Sequence, residues 1–137
     1  SLALRTLLVG FLLAGSRACG LVGPDPWVPK MARVEVNGTF PNTLELITST
    51  RFTRVTDGEG NTETFFDTSD TVFIAPGSHY QQQYPIRPDR GFLARLTNPD
   101  STEAVVTFKV WMGGELAFNR EDALLQEEPL EFRRIYF

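Results

Sequence analysis

The chain has 137 residues, 42% apolar and 12% aromatic, with 13 Lys+Arg against 17 Asp+Glu and a net charge of -4. That length suits one domain plus a short appendage, and one Cys and one His are too few for a Cys/His zinc site, a disulfide framework, a redox Cys pair or a haem attachment. The basic residues are scattered, without the patch or stripe that marks a nucleic-acid partner.

Residues 1–22, SLALRTLLVGFLLAGSRACGLV, place Arg5 ahead of an uncharged, mostly apolar run from Leu7 to Gly15, followed by small residues around Cys19. This is the layout of a secretory signal, and it predicts export. Retained, the same segment is a signal anchor: a short hydrophobic helix from Leu2 to Val22 reaches about 31 Å at about 1.5 Å per residue, close to the roughly 30 Å hydrocarbon core. Arg5 would then reach the cytoplasmic headgroups and Arg17 the opposite ones. Ala18, Cys19 and Gly20 resemble a bacterial lipobox, which makes Cys19 the candidate lipidation site. Ser16 stands where Leu is usual, and Arg17 is a further departure.

Residues 23–30 form a linker, because Pro24, Pro26 and Pro29 remove amide donors and favour extended geometry. Trp27 has two readings there, an aromatic anchor at the membrane interface or a cap on the domain core.

From Met31 onward the periodicity is mostly two. Val34 and Val36 alternate with Glu35 before a turn at Asn37–Gly38. Leu44 and Leu46 start an inward face, but Phe52 and Val55 lie on conflicting parities, which calls for a bulge or break near residues 48–50. Phe65–Phe66 and Val72–Ala75 read as separate strands divided by a turn at Asp67–Asp70. Phe92, Ala94 and Leu96 alternate with polar or mixed neighbours, and Ala104, Val106, Phe108, Val110 and Met112 alternate without a break. Glu115–Phe118 and Leu130–Phe137 complete about eight short strands. Asn119–Glu128 reads as a helix, capped by Asn119 and stopped by Pro129. The expected fold of residues 31–137 is an all-β antiparallel β-sandwich, immunoglobulin-like, behind the short N-terminal hydrophobic helix.

The 16-residue stretch Pro76–Gly91, PGSHYQQQYPIRPDRG, exceeds the loop length of about 12 to 15 residues beyond which loops are usually functional or mobile. It carries Tyr80, Tyr84, Arg87 and Arg90. Tyr and Arg are enriched at contact centres, and prolines limit the entropy lost on docking. Residues 31–137 hold 10 Lys+Arg against 16 Asp+Glu, whereas Arg87 and Arg90 face only Asp89 in this stretch. These four residues are the expected partner-binding set, directed at an acidic partner surface.

Other chemistry is thinner. Asp57, Glu59, Asn61 and Glu63 alternate as oxygen donors, but calcium needs six to eight, and the EF-hand glycine and terminal acid are missing; a hairpin turn explains them. Ser78–His79 with any carboxylate makes a triad on paper, without the G-x-S-x-G elbow that lifts a serine from its turn. Asn37-Gly38-Thr39 matches the glycosylation pattern. No catalytic, metal or cofactor site is expected. An exposed sugar platform would have to use Trp111 with Tyr80 and Tyr84.

In layout, with a short anchor, a proline-rich linker and one β-sandwich, the chain resembles the small periplasmic accessory subunits of bacterial membrane complexes. In particular it resembles the β-sandwich subunit of a photosynthetic reaction-centre and light-harvesting assembly. The resemblance implies a non-catalytic structural role at the bacterial inner membrane, with the domain on the periplasmic side and other subunits of the complex as partners. The alternative is a lipoprotein binding module, tethered through Cys19, for carbohydrate or another extracellular ligand.

Overall fold

The computed structural model describes residues 28–87 and 89–136. Arg5, Arg17, Cys19 and Trp27 lie outside the described residues, as does the expected N-terminal helix. Among the described residues no helix is long and apolar enough to cross a membrane.

Eight strands follow one another: β1 (Met31–Thr39), β2 (Leu44–Thr56), β3 (Thr62–Ile74), β4 (Tyr80–Pro85), β5 (Gly91–Thr97), β6 (Ala104–Met112), β7 (Glu115–Leu124) and β8 (Leu130–Ile135). They form two four-stranded antiparallel sheets, β4-β1-β6-β7 and β3-β2-β5-β8. The period-two pattern builds one core from both. Val34, Val36, Val106, Phe108 and Val110 come from the first sheet and Leu44, Leu46, Phe92, Ala94 and Leu96 from the second, all within one buried cluster. Phe108 and Phe118 meet edge to face at 5.5 Å, and Phe118 continues to Phe132 at 5.6 Å. Such aromatic pairs add to the stabilisation from apolar area alone.

Four expectations are corrected. Asn119–Glu128 is not helical: β7 runs through Leu124, paired to β6 from Glu115 to Leu124. Its Glu, Arg and Asp side chains are exposed, so it is a charged edge strand, and the burial offered by β6 outweighs local helix propensity. Asp67–Asp70 makes no turn, because β3 is continuous from Thr62 to Ile74. Asn37–Gly38 lies inside β1, which continues to Thr39 opposite Val105. Pro76–Gly91 is not a structureless loop, since Tyr80–Pro85 forms β4 along the edge of β1.

The parity conflict in β2 is resolved where it was expected. Thr48 pairs with Asp70, then Arg51 with Thr68, then Phe52 with Phe66. Ser49 and Thr50 thus stand opposite Ser69 alone, and Asp67 is unmatched on the other strand. Ser49 seals the irregularity: the single proton of its hydroxyl is shared between the carbonyls of Thr68 (2.5 Å) and Arg51 (2.9 Å), and its oxygen accepts from the Arg51 amide. Beyond it Phe66 lies under the Arg95 guanidinium at 5.2 Å, on the outer side, while Ala94 and Leu96 point into the core. Because β5 pairs β2 only over Glu45–Ser49, Arg51–Thr56 and Thr62–Thr68 continue as a two-stranded arm, with Val55 and Phe65 about half exposed.

Candidate partner-contact surface

β4 alternates Tyr80, Gln82 and Tyr84 with Gln81 and Gln83, and its register sets Tyr80 opposite Val36 and Tyr84 opposite Ala32. Val36 and Ala32 face the core, so both tyrosines turn inward, half-buried against it. Their hydroxyls bond at 2.6 Å, and Tyr84 leans on Phe92 at 5.7 Å between ring centres. Burial first, and then the bond with Tyr80, push the Tyr84 phenol above its ordinary range. Trp111 instead shares the outward side of the same sheet with Arg33, whose guanidinium stacks over the indole at 4.0 Å. The sugar platform of Trp111, Tyr80 and Tyr84 is therefore split across two faces of one sheet.

Pro85 ends β4, and residues 86–90 tie the end of the domain together. Ile86 is fully buried, and its amide donates to Lys30 O at 2.9 Å. Arg87 Nε donates to Val28 O at 2.9 Å, and the same guanidinium donates to that oxygen through a second nitrogen. The Asp89 amide closes a turn onto Ile86 O, and the Tyr136 amide donates to Arg90 O at 2.8 Å. Arg90 holds a left-handed φ of 68°, which for a non-glycine residue costs on the order of 1 kcal/mol.

Asp89 accepts from Thr50 Oγ1 (2.7 Å) and Arg51 Nε (2.8 Å). These bonds hold its carboxyl below the usual carboxylate range and raise the Arg51 guanidinium. Both groups keep solvent access, so the pair orients the loop against the bulge more than it stabilises the fold.

A cleft of about 240 Å³ opens between β4 and the bulge, lined among others by Thr48, Thr68, Ser69, Asp70, Tyr84 and Arg87. Thr48 is 3% exposed and lines this cleft together with Tyr84. Of the four expected contact residues, Tyr84 and Arg87 thus share one wall. Tyr80 lies beside Tyr84, whereas exposed Arg90 lines a separate hollow with Phe52, Ile135 and Tyr136. Thr48, Ser49, Thr50 and Asp89 were not singled out from the sequence, although the parity break at residues 48–50 marks three of them.

The remaining candidates have local partners. His79 Nδ1 bonds Asn37 Oδ1 at 3.1 Å, and its Nε2 lies 3.5 Å from Glu35 Oε2. Asp57 folds its carboxylate back on the arm's turn, where Oδ1 accepts from the amides of Glu59 (2.8 Å) and Asn61 (3.0 Å); these bonds lower its pKa. Among the described residues no group of three or more His, Cys, Asp or Glu is placed to hold a metal ion. No family model, curated protein or solved structure matches this chain.

Proposed function

We propose that this protein is a non-catalytic, membrane-anchored accessory subunit on the periplasmic side of a bacterial inner-membrane complex. The observation that carries the reading is the abrupt join between the apolar segment and the core. The expected anchor segment closes at Val22, and Val28 is already buried and held by Arg87. At about 3.3–3.6 Å per residue the intervening residues span at most about 20 Å. A domain held that close to its anchoring segment works at the membrane surface, against neighbouring subunits. Tyr80, Tyr84, Arg87 and Arg90 are the proposed partner surface, and Arg5, Arg17 and Trp27 the interfacial residues of the anchor. On layout alone, the host we favour is a photosynthetic reaction-centre and light-harvesting assembly.

We read the two sheets as an immunoglobulin-like sandwich, because β2 lies beside β5 and β6 beside β7 as strands B–E and F–G do in that fold. The departures are three: β3 stays next to β2 where an immunoglobulin strand C crosses to the other sheet, β1 lies beside β6 and not beside β2, and β4 lies beside β1 while β8 takes the place of strand D next to β5.

One observation favours the second reading, a lipoprotein binding module tethered through Cys19. The hydroxyl-rich cleft at Thr48, Thr68, Ser69 and Tyr84 suits a small polyhydroxylated ligand, since its groups both donate and accept. Purification from native membranes in mild detergent, with intact mass, separates the two. Co-purifying subunits and a retained 1–22 segment support the first. A chain that runs alone, begins at Cys19 and carries acyl groups replaces it with the second.

A further inference from the structure

The inward row of β2 runs Leu44, Leu46, Thr48, so a hydroxyl stands where the alternation calls for a third core hydrophobe. Among the described residues the buried polar side chains are Thr48, Ser49 and Asn98. Asn98 donates to Thr102 O and Leu124 O, and Ser49 closes the bulge. Thr48 lines the cleft between β4 and the bulge, where valine would fill the same shape without the cost of burying a hydroxyl. A hydroxyl at that point suits a ligand in the cleft better than it suits the core. Directly opposite Thr48 on β3 is Asp70, and facing residues of a ladder share one side of the sheet, so Asp70 lies on the inner side as Thr48 does. Burial and the Tyr80 bond raise the Tyr84 phenol, and the Asp70 charge adds to the rise, which puts this carboxylate within electrostatic reach of the phenol. Among the described residues no cation lies within ion-pair distance of Asp70.

We propose that the cleft binds a single pyranose ring, with the Asp70 carboxylate accepting from two adjacent ring hydroxyls, Thr48 and Ser69 bonding a third, and the C–H face of the sugar lying on Tyr84 and Pro85. A carboxylate has two oxygens to meet a pair of neighbouring hydroxyls, and its charge makes each bond stronger than a neutral one. The other carboxylate of the cleft, Asp89, is already engaged by Thr50 and Arg51, so Asp70 carries the recognition. Whichever phenol donates in the Tyr80–Tyr84 bond, the Tyr84 oxygen keeps a further hydrogen-bonding function for the ligand. At about 240 Å³ the cleft has room for about eight waters at about 30 Å³ each, below the roughly 300–1,000 Å³ of sites for drug-sized ligands. That is the size of one sugar ring. An open-chain polyol offers the same hydroxyls without a rigid C–H face and loses more freedom on binding. This rests on taking the cleft as the site of the second reading, a small polyhydroxylated ligand, and narrows that ligand to one ring.

The test titrates the full chain, in a phosphocholine detergent without sugar headgroups, with D-glucose, D-galactose, D-mannose and the open-chain polyol sorbitol, and follows backbone amide NMR shifts. Saturable shifts at Thr48, Ser69, Asp70 and Tyr84 are expected with at least one hexose, at lower concentration than with sorbitol. Asp70→Asn, a change at an exposed position, should keep the fold by circular dichroism and weaken hexose binding about tenfold. Thr48→Val should weaken it too while leaving thermal stability unchanged or raised, which a purely structural hydroxyl would not do. Sorbitol binding as tight as the best hexose would overturn the ring assignment and leave the second reading standing. No saturable shift with any of the four would overturn both. Hexose shifts that Asp70→Asn leaves intact would put the sugar elsewhere and overturn this site.

Discussion

The hydroxyls of Tyr80 and Tyr84 meet at 2.6 Å on the inner side of an edge strand, a place where a lone phenol would need another polar partner. The pair lets β4 present two large rings to the core while Gln81, Gln82 and Gln83 stay exposed. Burial and the shared bond keep the Tyr84 proton in place. Its folded pKa is raised above the unfolded value of about 10. Its contribution to stability is therefore fully present below about pH 10 and is lost as pH climbs from there through the folded value. Phenolate absorbance should reveal a late-titrating group. That group should be missing in Tyr84→Phe, whose stability should also fall less steeply in alkali. An unchanged titration would place the late group elsewhere.

Phe108 lies fully buried at the centre of β6 and packs on Phe118. Phe108→Ala should cost about 3–5 kcal/mol, the range for large buried truncations. Urea denaturation measures it, and a loss under about 1 kcal/mol would mean that the two sheets do not share this core.

Gly38 has φ of 140°, and a Cβ there would collide with Val105 O and approach Val106 Cα to 2.9 Å. Both are backbone atoms of the neighbouring strand, so neither yields by a rotamer change. Gly38→Ala should cost about 3 kcal/mol, at the upper end of ordinary substitutions. Gly60→Ala, also at positive φ but with open space around it, should cost about 1 kcal/mol. Thermal melts of the two variants should differ clearly, and equal melts would refute the close approach.

Arg90 is exposed and left-handed, and what its loop needs from it is the carbonyl that accepts the Tyr136 amide. Arg90→Gly should therefore raise stability by up to about 1 kcal/mol. If the proposed function holds, Arg90→Glu, with the domain still folded, should weaken retention in the proposed membrane complex at moderate salt, because it reverses the charge offered to the proposed acidic partner. Wild-type retention would remove Arg90 from the contact surface.

Where a strand buried one face, alternation made it legible: β1, β5 and β6 follow from Val34–Val36, Phe92–Leu96 and Ala104–Met112 almost residue for residue. β7 was missed because Glu121, Asp122, Ala123 and Leu124 are as good helix formers as strand formers, and only the nine-pair ladder to β6 decides between them. β4 was missed because its apolar content is two tyrosines, and its other edge is free. For the contact surface, the residue types were legible but their directions were not. Tyr84 turns inward and Arg87 reaches back to Val28, a partner 59 positions away that no local pattern announces.

The paired irregularity at Ser49–Thr50 and Asp67 has a consequence for how this chain can vary. After both strands have taken their extra residue, Phe52–Phe66 and Leu44–Ile74 again obey the same pairing rule, so the arm is a module whose length is independent of the body. Removing or adding two residues on each strand between Thr53 and Phe65 would shorten or extend its reach while every core side chain keeps its face. A one-residue change in either strand would turn the side chains beyond it to the opposite face of the arm. Evolution, or a protein engineer, can therefore tune how far this arm projects from the body in steps of one full pleat.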